Sequence, residues 1–472
     1  MLTEIEYDPL KAFSRLRHMP FVAFLDSARI HASHGRYSFL ATDPRLVVFS
    51  EGGHVHIQRG GNILSWEANP WETLDGMLSR FRLPSEGASN HLPLGAAIGF
   101  LGYGMGQWLE QVPPPKPAIL SSPDAWFGFY DVLLAFDHID QCAWLISSGL
   151  DESGATSTRQ AEFRRDQFLD ELQSDVTIFP NSMSRPHEIY PLVSPETHQA
   201  GIRRALDYIR KGDLYQVNLA HPFSGTVETR PDELYLQLRA CNPAPFSAFL
   251  DFGTGQILSS SPERFLQLNR RHVQTRPIKG TCARYGEHET DWKRAEELLQ
   301  SAKNRAELLM ITDLLRNDLG KVADFGSVHV PNLVSLEEHE TVYHLVSTVE
   351  ASLRRDMLHL DALAACFPGG SITGAPKIRA MEIIHELEPC ARGIYTGALG
   401  YFGFNGASDF NIAIRTLHHQ EGKIGFHVGG GIVADSDPEQ EYQETLDKAR
   451  GMLRLWEPSE SSLEAPPLSM PS

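Results

Sequence analysis

The pattern of apolar and polar residues predicts a strand-rich first part of the chain. Residues 20–150 alternate short apolar runs with turn residues, as in FVAFLDSA, RYSFLATDP and AWFGFYDVLLAFDHID. Such runs, bounded by Gly, Pro, Asn and Asp, are typical of antiparallel strands. A helix is predicted at WETLDGMLSRFR. We therefore expect residues 1–150 to form a β-rich N-terminal subdomain.

Residues 151–193 are predicted to be a helix and a linker. TSTRQAEFRRDQFLDELQS is polar and suits an exposed helix, whereas FPNSMSRPHEIYPLVSP has several prolines and no periodicity. Such a composition is typical of a connecting segment.

Residues 194–455 mix helical and strand patterns, which predicts a second, catalytic subdomain. A helix is expected from Ser194, because Pro195 follows at the first turn and Gly212 lies just beyond the end. One long helix is predicted over DWKRAEELLQSAKNRAELLMITDLLRND, and others over HLDALAACF, PKIRAMEIIHELE and residues 438–455. Strands are predicted at YQVNLAHPF, FSAFLDFG, GIYTGALGYFGF, FNIAIRTLHH and KIGFHVGGGIVA, with a strand pair at QILSSSPERFLQLNRRHVQTRPIKG. The polar, proline-rich tail, residues 456–472, is predicted to be disordered.

Composition and charge narrow the functional classes. The 472 residues are 42% hydrophobic and 22% charged, which is enough apolar material for a large core. A formal net charge of −18 argues against nucleic acid as a partner, since phosphate binding needs clustered basic residues. An anionic substrate would therefore need a local cation.

Cysteine usage and hydropathy predict a cytoplasmic protein. The five cysteines are scattered without C-x-x-C spacing, which fits reduced thiols. The most apolar stretch, LPLGAAIGFLGYGMGQW, contains five glycines and indicates a buried strand with turns rather than a membrane helix. The N-terminus has no basic region followed by an apolar one, so we expect no secretory signal and no membrane partner.

Three patterns are candidates for chemistry, and each has an ordinary alternative. Lys279 in RPIKGTCAR is either a solvated surface charge or a buried nucleophile. FHVGGGIVAD is either a tight turn or a loop whose backbone N–H groups approach an anion. Glu307 lies mid-helix, and Glu441 and Glu444 share a helix face; these carboxylates are either solvated or hold Mg²⁺. FPGGSITGAPKIRAM lacks the phosphate-loop spacing, so we reject that motif.

Together, the motifs resemble those of the chorismate-utilising enzymes. GDLYQVNLA, SPERF, PIKGT, LLRNDLG, HLVST, FPGGSITGAPKIRAMEII, YTGALGY, NIAIRT and GGGIVADSDPEQEYQETLDKA occur in the order seen in the anthranilate, isochorismate, salicylate and aminodeoxychorismate synthases. The resemblance is specific over residues 194–455 and looser before them. It implies an α/β fold of the α+β type, with large, mostly antiparallel sheets packed as a sandwich and helices outside.

The resemblance also implies a reaction. In PIKGT, anthranilate synthases carry Ala where this chain has Lys279, and aminodeoxychorismate synthases carry Lys. This implies that Lys279 attacks C2 of chorismate, that Glu263 in SPERF protonates the leaving C4 hydroxyl, and that ammonia then forms 4-amino-4-deoxychorismate. Water-using relatives have a lysine base where this chain has Gln216.

Matching positions imply a Mg²⁺ site and a set of substrate contacts. Glu307 and Glu441 correspond to metal ligands, and Glu444 to a direct or water-mediated one. The implied substrate-binding residues are Gly280, Thr281, His344, Ser371, Tyr395, Arg415, Gly429, Gly430 and Gly431. Ammonia is expected from a separate glutamine amidotransferase subunit, in a heterodimer serving p-aminobenzoate and folate biosynthesis.

A further segment matches a regulatory pocket. Pro245, Phe246 and Ser247 correspond to the part of anthranilate synthases that helps to form a tryptophan pocket. The N-terminal Leu-Leu-Glu-Ser inhibitor motif is missing, and HGRYSFLATDP stands near its place. We therefore do not expect tryptophan feedback, although a structural ligand could occupy the pocket.

Two alternatives remain open. Anthranilate synthase is opposed by Lys279. A catalytically silent regulatory homologue is opposed by the joint presence of Lys279, Glu263, Glu307, Glu441 and Arg415.

Overall fold

Two twelve-stranded antiparallel sheets form the framework of the computed structural model. The structure describes residues 1–30, 34–84, 92–174, 188–284, 286, 288–338 and 342–456. Its strands are β1 (Leu2–Ile5), β2 (Ala23–Asp26), β3 (Tyr37–Ala41), β4 (Leu46–Glu51), β5 (His54–Arg59), β6 (Asn62–Glu67), β7 (Ala96–Leu101), β8 (Ala125–Tyr130), β9 (Val132–Asp137), β10 (Cys142–Ser147), β11 (Glu188–Pro191), β12 (Gln216–Thr226), β13 (Phe246–Asp251), β14 (Gln256–Ser261), β15 (Arg264–Asn269), β16 (His272–Thr275), β17 (Ile278–Ala283), β18 (His329–Glu338), β19 (Val342–Ser352), β20 (Gly374–Ala375), β21 (Ala398–Gly403), β22 (Ala407–Ile412), β23 (Thr416–Gln420) and β24 (Lys423–Ile432). The α-helices are α1 (Pro9–Leu16), α2 (Pro70–Arg80), α3 (Thr158–Gln173), α4 (Pro195–Arg210), α5 (Pro231–Cys241), α6 (His288–Gln300), α7 (Ala302–Gly320), α8 (His359–Cys366), α9 (Lys377–Leu387) and α10 (Pro438–Leu453), with short 3₁₀ helices at Tyr103–Trp108, Gly370–Ile372 and Arg454–Trp456.

Each sheet combines strands from both parts of the chain. The first sheet runs β1-β10-β9-β3-β2-β13-β14-β23-β24-β12-β11, with β20 paired to β12. The second runs β17-β19-β16-β15-β22-β21-β7-β8-β4-β5-β6, with β18 paired to β19. The division into subdomains at residues 150 and 194 stays a prediction. In both sheets, strands from before and after these residues hydrogen-bond side by side.

The two sheets pack face to face, and the helices cover their outer faces. Ala23 and Leu133 of the first sheet share one buried cluster with Phe100 and Trp126 of the second. On the outside, α3 and α5 pack on the first sheet, while α2, α7 and α8 pack on the second. This arrangement confirms the predicted sandwich with external helices, since each sheet buries apolar side chains on both faces.

Local signals explain most helix boundaries, and one of them corrects a prediction. The Ser194 hydroxyl accepts a hydrogen bond from the Thr197 backbone N–H, which confirms the predicted start of α4. The long helix predicted over residues 291–318 is two helices, α6 and α7. Ser301 separates them, because its hydroxyl caps the Asn304 N–H and begins a new helix.

Other strand predictions need correction. The predicted pair over residues 256–280 is four strands, β14 to β17, because Arg270 takes a positive φ of 55° in a tight turn and Pro277 interrupts the next run. Part of the predicted linker forms β11, which pairs with β12 at the sheet edge, where Pro191 is tolerated. Residues 175–187 of that region, and the predicted disorder over 457–472, lie outside the described residues.

The apolar glycine-rich stretch is a strand followed by a turn. Ala96–Leu101 forms the fully buried β7, and Tyr103–Trp108 forms a 3₁₀ helix, as predicted. In the part of the chain that the structure describes, no helix is long and apolar enough to cross a membrane. All five cysteines are free.

Candidate active site

Lys279 lies on β17, at an irregularity in its pairing with β19. The register shifts between Lys279 and Thr281, and Gly280 between them has a φ of 76°. A Cβ on Gly280 would come 3.0 Å from atoms of Leu298 and Asn304, so both the conformation and the space require glycine. The bulge turns Lys279 inwards, where its Nζ donates to the Ser371 carbonyl over 3.3 Å.

The environment of Lys279 favours the neutral amine. Burial lowers its pKa, against the opposing charges of Glu307 and Glu263, and the cation of Lys448 lowers it further. Lys279 is partly buried and its Nζ is hydrogen-bonded inside the site, which favours the nucleophile over a fully solvated surface charge. A desolvated amine that can lose its proton is a competent nucleophile.

Glu263 lies beside Lys279, where the chain passes from the first sheet to the second between β14 and β15. Burial raises its pKa, although Lys279, the Ser371 hydroxyl and the Ile278 backbone N–H lower it in part. Its side chain is buried, and Oε1 has no hydrogen-bond partner among the described residues. A carboxyl group in this setting tends to keep its proton and can act as an acid.

A second crossing between the sheets places Arg415 near Glu263. β22 belongs to the second sheet and β23 to the first, and Arg415 lies between them with a φ of 50°. The two crossings are tied together, since the Ser260 N–H donates to the Arg415 carbonyl and the Ile412 N–H to the Glu263 carbonyl, both at 3.0 Å. Sheet topology thus places the backbones of Glu263 and Arg415 at two adjoining crossings.

Arg415 faces a cavity of about 340 Å³ together with Thr281 and His344. The Thr281 hydroxyl and His344 Nδ1 are 2.7 Å apart, directly across the β17–β19 pair. Burial and the nearby charge of Arg29 lower the pKa of Arg415. Three of the predicted substrate contacts therefore share one cationic cavity suited to a carboxylate.

Three carboxylates from two helices meet on another side of Lys279. Burial raises the pKa of Glu307 on α7; Lys279 and Lys303 lower it, and the charges of Glu441 and Glu444 on α10 raise it again. Glu441 accepts from the Ser436 hydroxyl at 2.6 Å and lies 3.9 Å from Lys303. Lys303 interacts with both Glu307 and Glu441, so the ends of α7 and α10 that carry these carboxylates face each other.

These residues suit a magnesium ion that is completed by other ligands. Over the described ranges, no three His, Cys, Asp or Glu side chains are gathered tightly enough for an all-protein metal site. Mg²⁺ usually takes one or two carboxylates and fills its remaining positions with water and substrate oxygens. Glu307 and Glu441 offer that donor set. Glu444 is exposed and paired with Lys448 at 2.8 Å.

The three glycines of FHVGGGIVAD lie within strand β24, which confirms the strand predicted over KIGFHVGGGIVA and shows that they form neither a turn nor a loop. β24 pairs with β12, and a Cβ on Gly429 would approach the Leu219 carbonyl to 2.6 Å. A Cβ on Gly431 would approach Gln216 Nε2 to 2.9 Å. Glycine is required here because neighbouring groups lie close above the strand.

Gln216 and Tyr395 line the region behind this strand. Gln216 is fully buried, and neither polar atom of its side chain has a hydrogen-bond partner in the described part of the chain. Tyr395 stacks on His427 with ring centroids 5.4 Å apart, and burial raises its pKa to about 12. Unpartnered amide groups at such a site are available to a ligand.

Lys448 is a site residue that the sequence reasoning missed. Its Nζ donates to the Gly429 carbonyl at 2.9 Å, and it forms an ion pair with Glu444 at 2.8 Å. It follows Glu444 by four residues on α10, so the spacing alone placed the two on one helix face.

Pro245, Phe246 and Ser247 line a different cavity, of about 390 Å³. The segment HGRYSFLATDP contributes to the same cavity, as expected from its position, and Leu25, Asp26 and Ser27 line it as well; the residues from HGRYSFLATDP are His34, Gly35, Arg36, Tyr37 and Phe39. Pro245 and Phe246 also line the Arg415 cavity. The two cavities therefore share a wall.

Comparisons with known proteins agree with this geometry. A family model described as chorismate binding enzyme matches residues 32–454. Aminodeoxychorismate synthase component 1 of Escherichia coli (strain K12) is 40% identical over 447 residues, covering 94% of this chain and 95% of that protein. Anthranilate synthase component 1 of Thermus thermophilus is 36% identical, covering 96% of each.

Solved structures show the same fold. The crystal structure of anthranilate synthase component I from Streptococcus pneumoniae matches with a TM-score of 0.78 and 33% identity, covering 90% of this chain and 93% of that one. The menaquinone-specific isochorismate synthase of Escherichia coli, at 17% identity, has a TM-score of 0.74 and covers 97% and 94% of the two chains, which shows the fold alone. The predicted fold is confirmed, and this chain belongs to the chorismate-binding enzyme family.

Proposed function

We propose that this enzyme replaces the C4 hydroxyl of chorismate by ammonia, giving 4-amino-4-deoxychorismate. The observation that carries the proposal is the burial of Lys279 beside Glu263, which lowers the pKa of the lysine and raises that of the glutamate. Both shifts favour the neutral forms, which a nucleophile and an acid need. The similarity to proteins named aminodeoxychorismate synthase component 1 supports the same assignment.

Lys279 and Glu263 divide the first half of the reaction. The neutral Nζ forms a bond to C2, the ring double bonds shift, and the C4–O bond breaks. Glu263 gives its proton to the departing oxygen, which leaves as water. The new C2–N group carries an extra proton, which the Glu263 carboxylate can take back.

Ammonia completes the second half. It forms a bond to C4, the electrons shift back across the ring, and the C2–N bond to Lys279 breaks. Glu263 returns a proton to the departing amine, and the proton lost by the new C4 amine restores Glu263. The sum is chorismate and ammonia giving aminodeoxychorismate and water.

The other residues hold the dianionic substrate. Arg415 offers a planar guanidinium for one carboxylate, with Thr281 and His344 lining the same cavity, and Tyr395 is a further proposed contact beside His427. Glu307 and Glu441, with Glu444 directly or through water, would hold Mg²⁺, which would bind the ring carboxylate and withdraw electron density from the ring. The backbone of Gly429–Gly431 in β24 is a further proposed contact for the substrate.

A partner protein would supply the ammonia. The designation "component 1" of the relatives implies a second component. We assign that role to a glutamine amidotransferase subunit, and we assign the product to p-aminobenzoate and folate biosynthesis in the cytoplasm. Ammonium salts should replace the partner in vitro.

The test is product identification with chorismate, MgCl₂ and ammonium sulfate, analysed by liquid chromatography and mass spectrometry. We expect aminodeoxychorismate. Anthranilate as the direct product would support the second candidate, anthranilate synthase, to which this chain is also similar. Absence of any product from a correctly folded protein would support the silent homologue.

A further inference from the structure

Arg392 has a buried guanidinium whose hydrogen bonds are complete. It is 3% exposed. Nε and Nη2 donate to the two oxygens of Glu388 at 2.9 and 2.6 Å, Nη2 also to the Asn218 carbonyl at 2.7 Å, and Nη1 to the Ile372 carbonyl and the Thr396 hydroxyl at 3.0 and 3.2 Å. These bonds use all five N–H donors of the side chain.

The acceptors belong to three segments that carry active-site groups. Ile372 follows Ser371, whose carbonyl receives the Lys279 hydrogen bond and whose hydroxyl acts on Glu263. Asn218 lies on β12, two residues after Gln216. Thr396 follows Tyr395. One guanidinium thus hydrogen-bonds to the segments that contact Lys279 and Glu263 and to the segment that carries Tyr395.

Glu388 extends the same connection. Its Oε1 also accepts the backbone N–H of Ala220 at 2.9 Å, and Ala220 faces Gly429 across the strand pair. The Arg392 guanidinium lies 4.7 Å from the ring centroid of Tyr103 and 5.7 Å from that of Tyr395. Tyr395 is therefore held between Arg392 and His427.

Backbone geometry at Thr396 shows that this arrangement is held under constraint. Thr396 has a φ of 61°, a left-handed conformation that a β-branched residue rarely adopts. Such conformations persist where the surroundings impose them, and they cluster at functional sites. The Arg392 bond to the Thr396 hydroxyl supplies part of that constraint.

We infer that Arg392, fixed by Glu388, is a positioning residue that sets the places of Ser371 and Tyr395 for the chemistry of Lys279 and Glu263. The inference rests on the proposed function. Arg392 lies behind Tyr395 and acts through other residues. A change in its hydrogen-bond geometry should therefore alter the chemical step more than substrate binding.

The test compares Arg392→Lys with Arg164→Lys. Arg164 is a matched control because it is 2% exposed and bonds to two carboxylates, Asp131 and Asp43, away from the site. We expect Arg392→Lys to lower kcat by roughly 10- to 100-fold with a smaller change in KM, since a displacement of about 1 Å can have that effect. Arg164→Lys should keep kcat even where its melting temperature falls equally.

Two further measurements make the result decisive. Arg392→Ala should regain activity with added guanidinium, and Arg164→Ala should show no comparable gain. Independently of turnover, the pH midpoint for acetylation of Lys279 by acetic anhydride, followed by mass spectrometry, should move in Arg392→Lys and stay in Arg164→Lys. Equal kcat and an unmoved midpoint in both lysine variants would overturn the inference.

Failure of the proposed function would be seen in a different measurement from failure of the positioning role. It would show in the wild-type enzyme as anthranilate or as no product, whereas failure of the positioning role would show only in the comparison of variants. The labelling midpoint tests the role of Arg392 in either case, because it needs no turnover.

Discussion

Lys377 is buried and Lys279 is partly buried, and the groups that surround the two lysines differ. Lys377, the first residue of α9, is 9% exposed; its Nζ donates to Asp318 at 2.7 Å and to the Cys366 carbonyl at 2.8 Å. Lys279 on β17 donates to the Ser371 carbonyl over 3.3 Å, and Glu263 beside it is itself driven towards the neutral acid. One lysine is an ion-pair partner, and the other is available to react.

The contrast shows that burial alone does not produce a nucleophile. A carboxylate at hydrogen-bonding distance makes a buried lysine a structural link, here between α9 and α7. Lys279 has no carboxylate within ion-pair distance in the described part of the chain, and desolvation moves Lys279 and Glu263 towards their neutral forms. The following predictions test this difference, from the largest effect to the smallest.

Lys279→Ala should lower aminodeoxychorismate formation by roughly 10⁴-fold or more, the scale seen when a nucleophile is removed. The reason is that ammonia would have to displace the hydroxyl without the covalent step. Rates of product formation with chorismate and ammonium measure the loss. Lys321→Ala is the control, because Lys321 is a half-exposed lysine that, like Lys377, pairs with Asp318. An unchanged rate in Lys279→Ala would rule out the nucleophile.

Lys377→Met should act on stability, with a loss of about 3–5 kcal/mol in the free energy of unfolding. Its removal leaves the Asp318 carboxylate buried, with only the half-exposed Lys321 beside it at 3.0 Å. Urea denaturation followed by circular dichroism measures the change. The double variant Lys377→Met/Asp318→Asn should recover part of the loss. A loss below about 1 kcal/mol in the single variant, small for a broken buried ion pair, would contradict the structural role.

Glu307→Gln should weaken Mg²⁺ binding by at least about tenfold, because even changes outside the ligand set have that effect. Titration calorimetry with MgCl₂ measures it, with the exposed Glu152→Gln as control. The negative charge of Glu307 raises the pKa of Lys279, so its removal should also move the Lys279 labelling midpoint to lower pH. A midpoint that moves upwards would show that the sign of this interaction is wrong.

The pH dependence of the activity should reflect the titration of Lys279 and Glu263. Lys279 must be neutral, so activity is lost as the pH falls through its lowered pKa; Glu263 must be protonated, so activity is lost as the pH rises through its raised pKa. We expect a bell-shaped kcat/KM profile at constant free ammonia, whose limbs belong to the coupled pair. Glu263→Gln should keep only the rising limb. A profile with both limbs in that variant would exclude Glu263 as the acid.

The sequence predicted the fold better than it predicted the distances within the site. The cap at Ser194 identified the start of α4, because it acts within one turn, and α10 was predicted over residues 438–455 without its cap, Asp437. The break at Ser301 was missed, since its apolar neighbours continue the helical pattern. The strand over KIGFHVGGGIVA was predicted, but the reason for its glycines was not, because Gly431 faces Gln216, more than two hundred residues away.

The site residues came from matching motifs, and their environment came only from the structure. Whether Lys279 is buried depends on α7, α10 and the Gly370–Ile372 turn meeting above β17, which no local pattern encodes. Arg392 gave no signal of its own, since its importance lies in five acceptor atoms of four residues, Asn218, Ile372, Glu388 and Thr396. Lys448 could have been predicted from the sequence, because it follows Glu444 by four residues on the same helix face.

The most direct test of the central claim is the mass of Lys279 during the reaction. The enzyme would be mixed with chorismate and Mg²⁺ without ammonia, quenched, digested and analysed by mass spectrometry. We predict that the peptide containing Lys279 gains the mass of chorismate less one water, and that ammonium removes this adduct. Formation of aminodeoxychorismate by an enzyme whose Lys279 never carries the adduct would contradict the account.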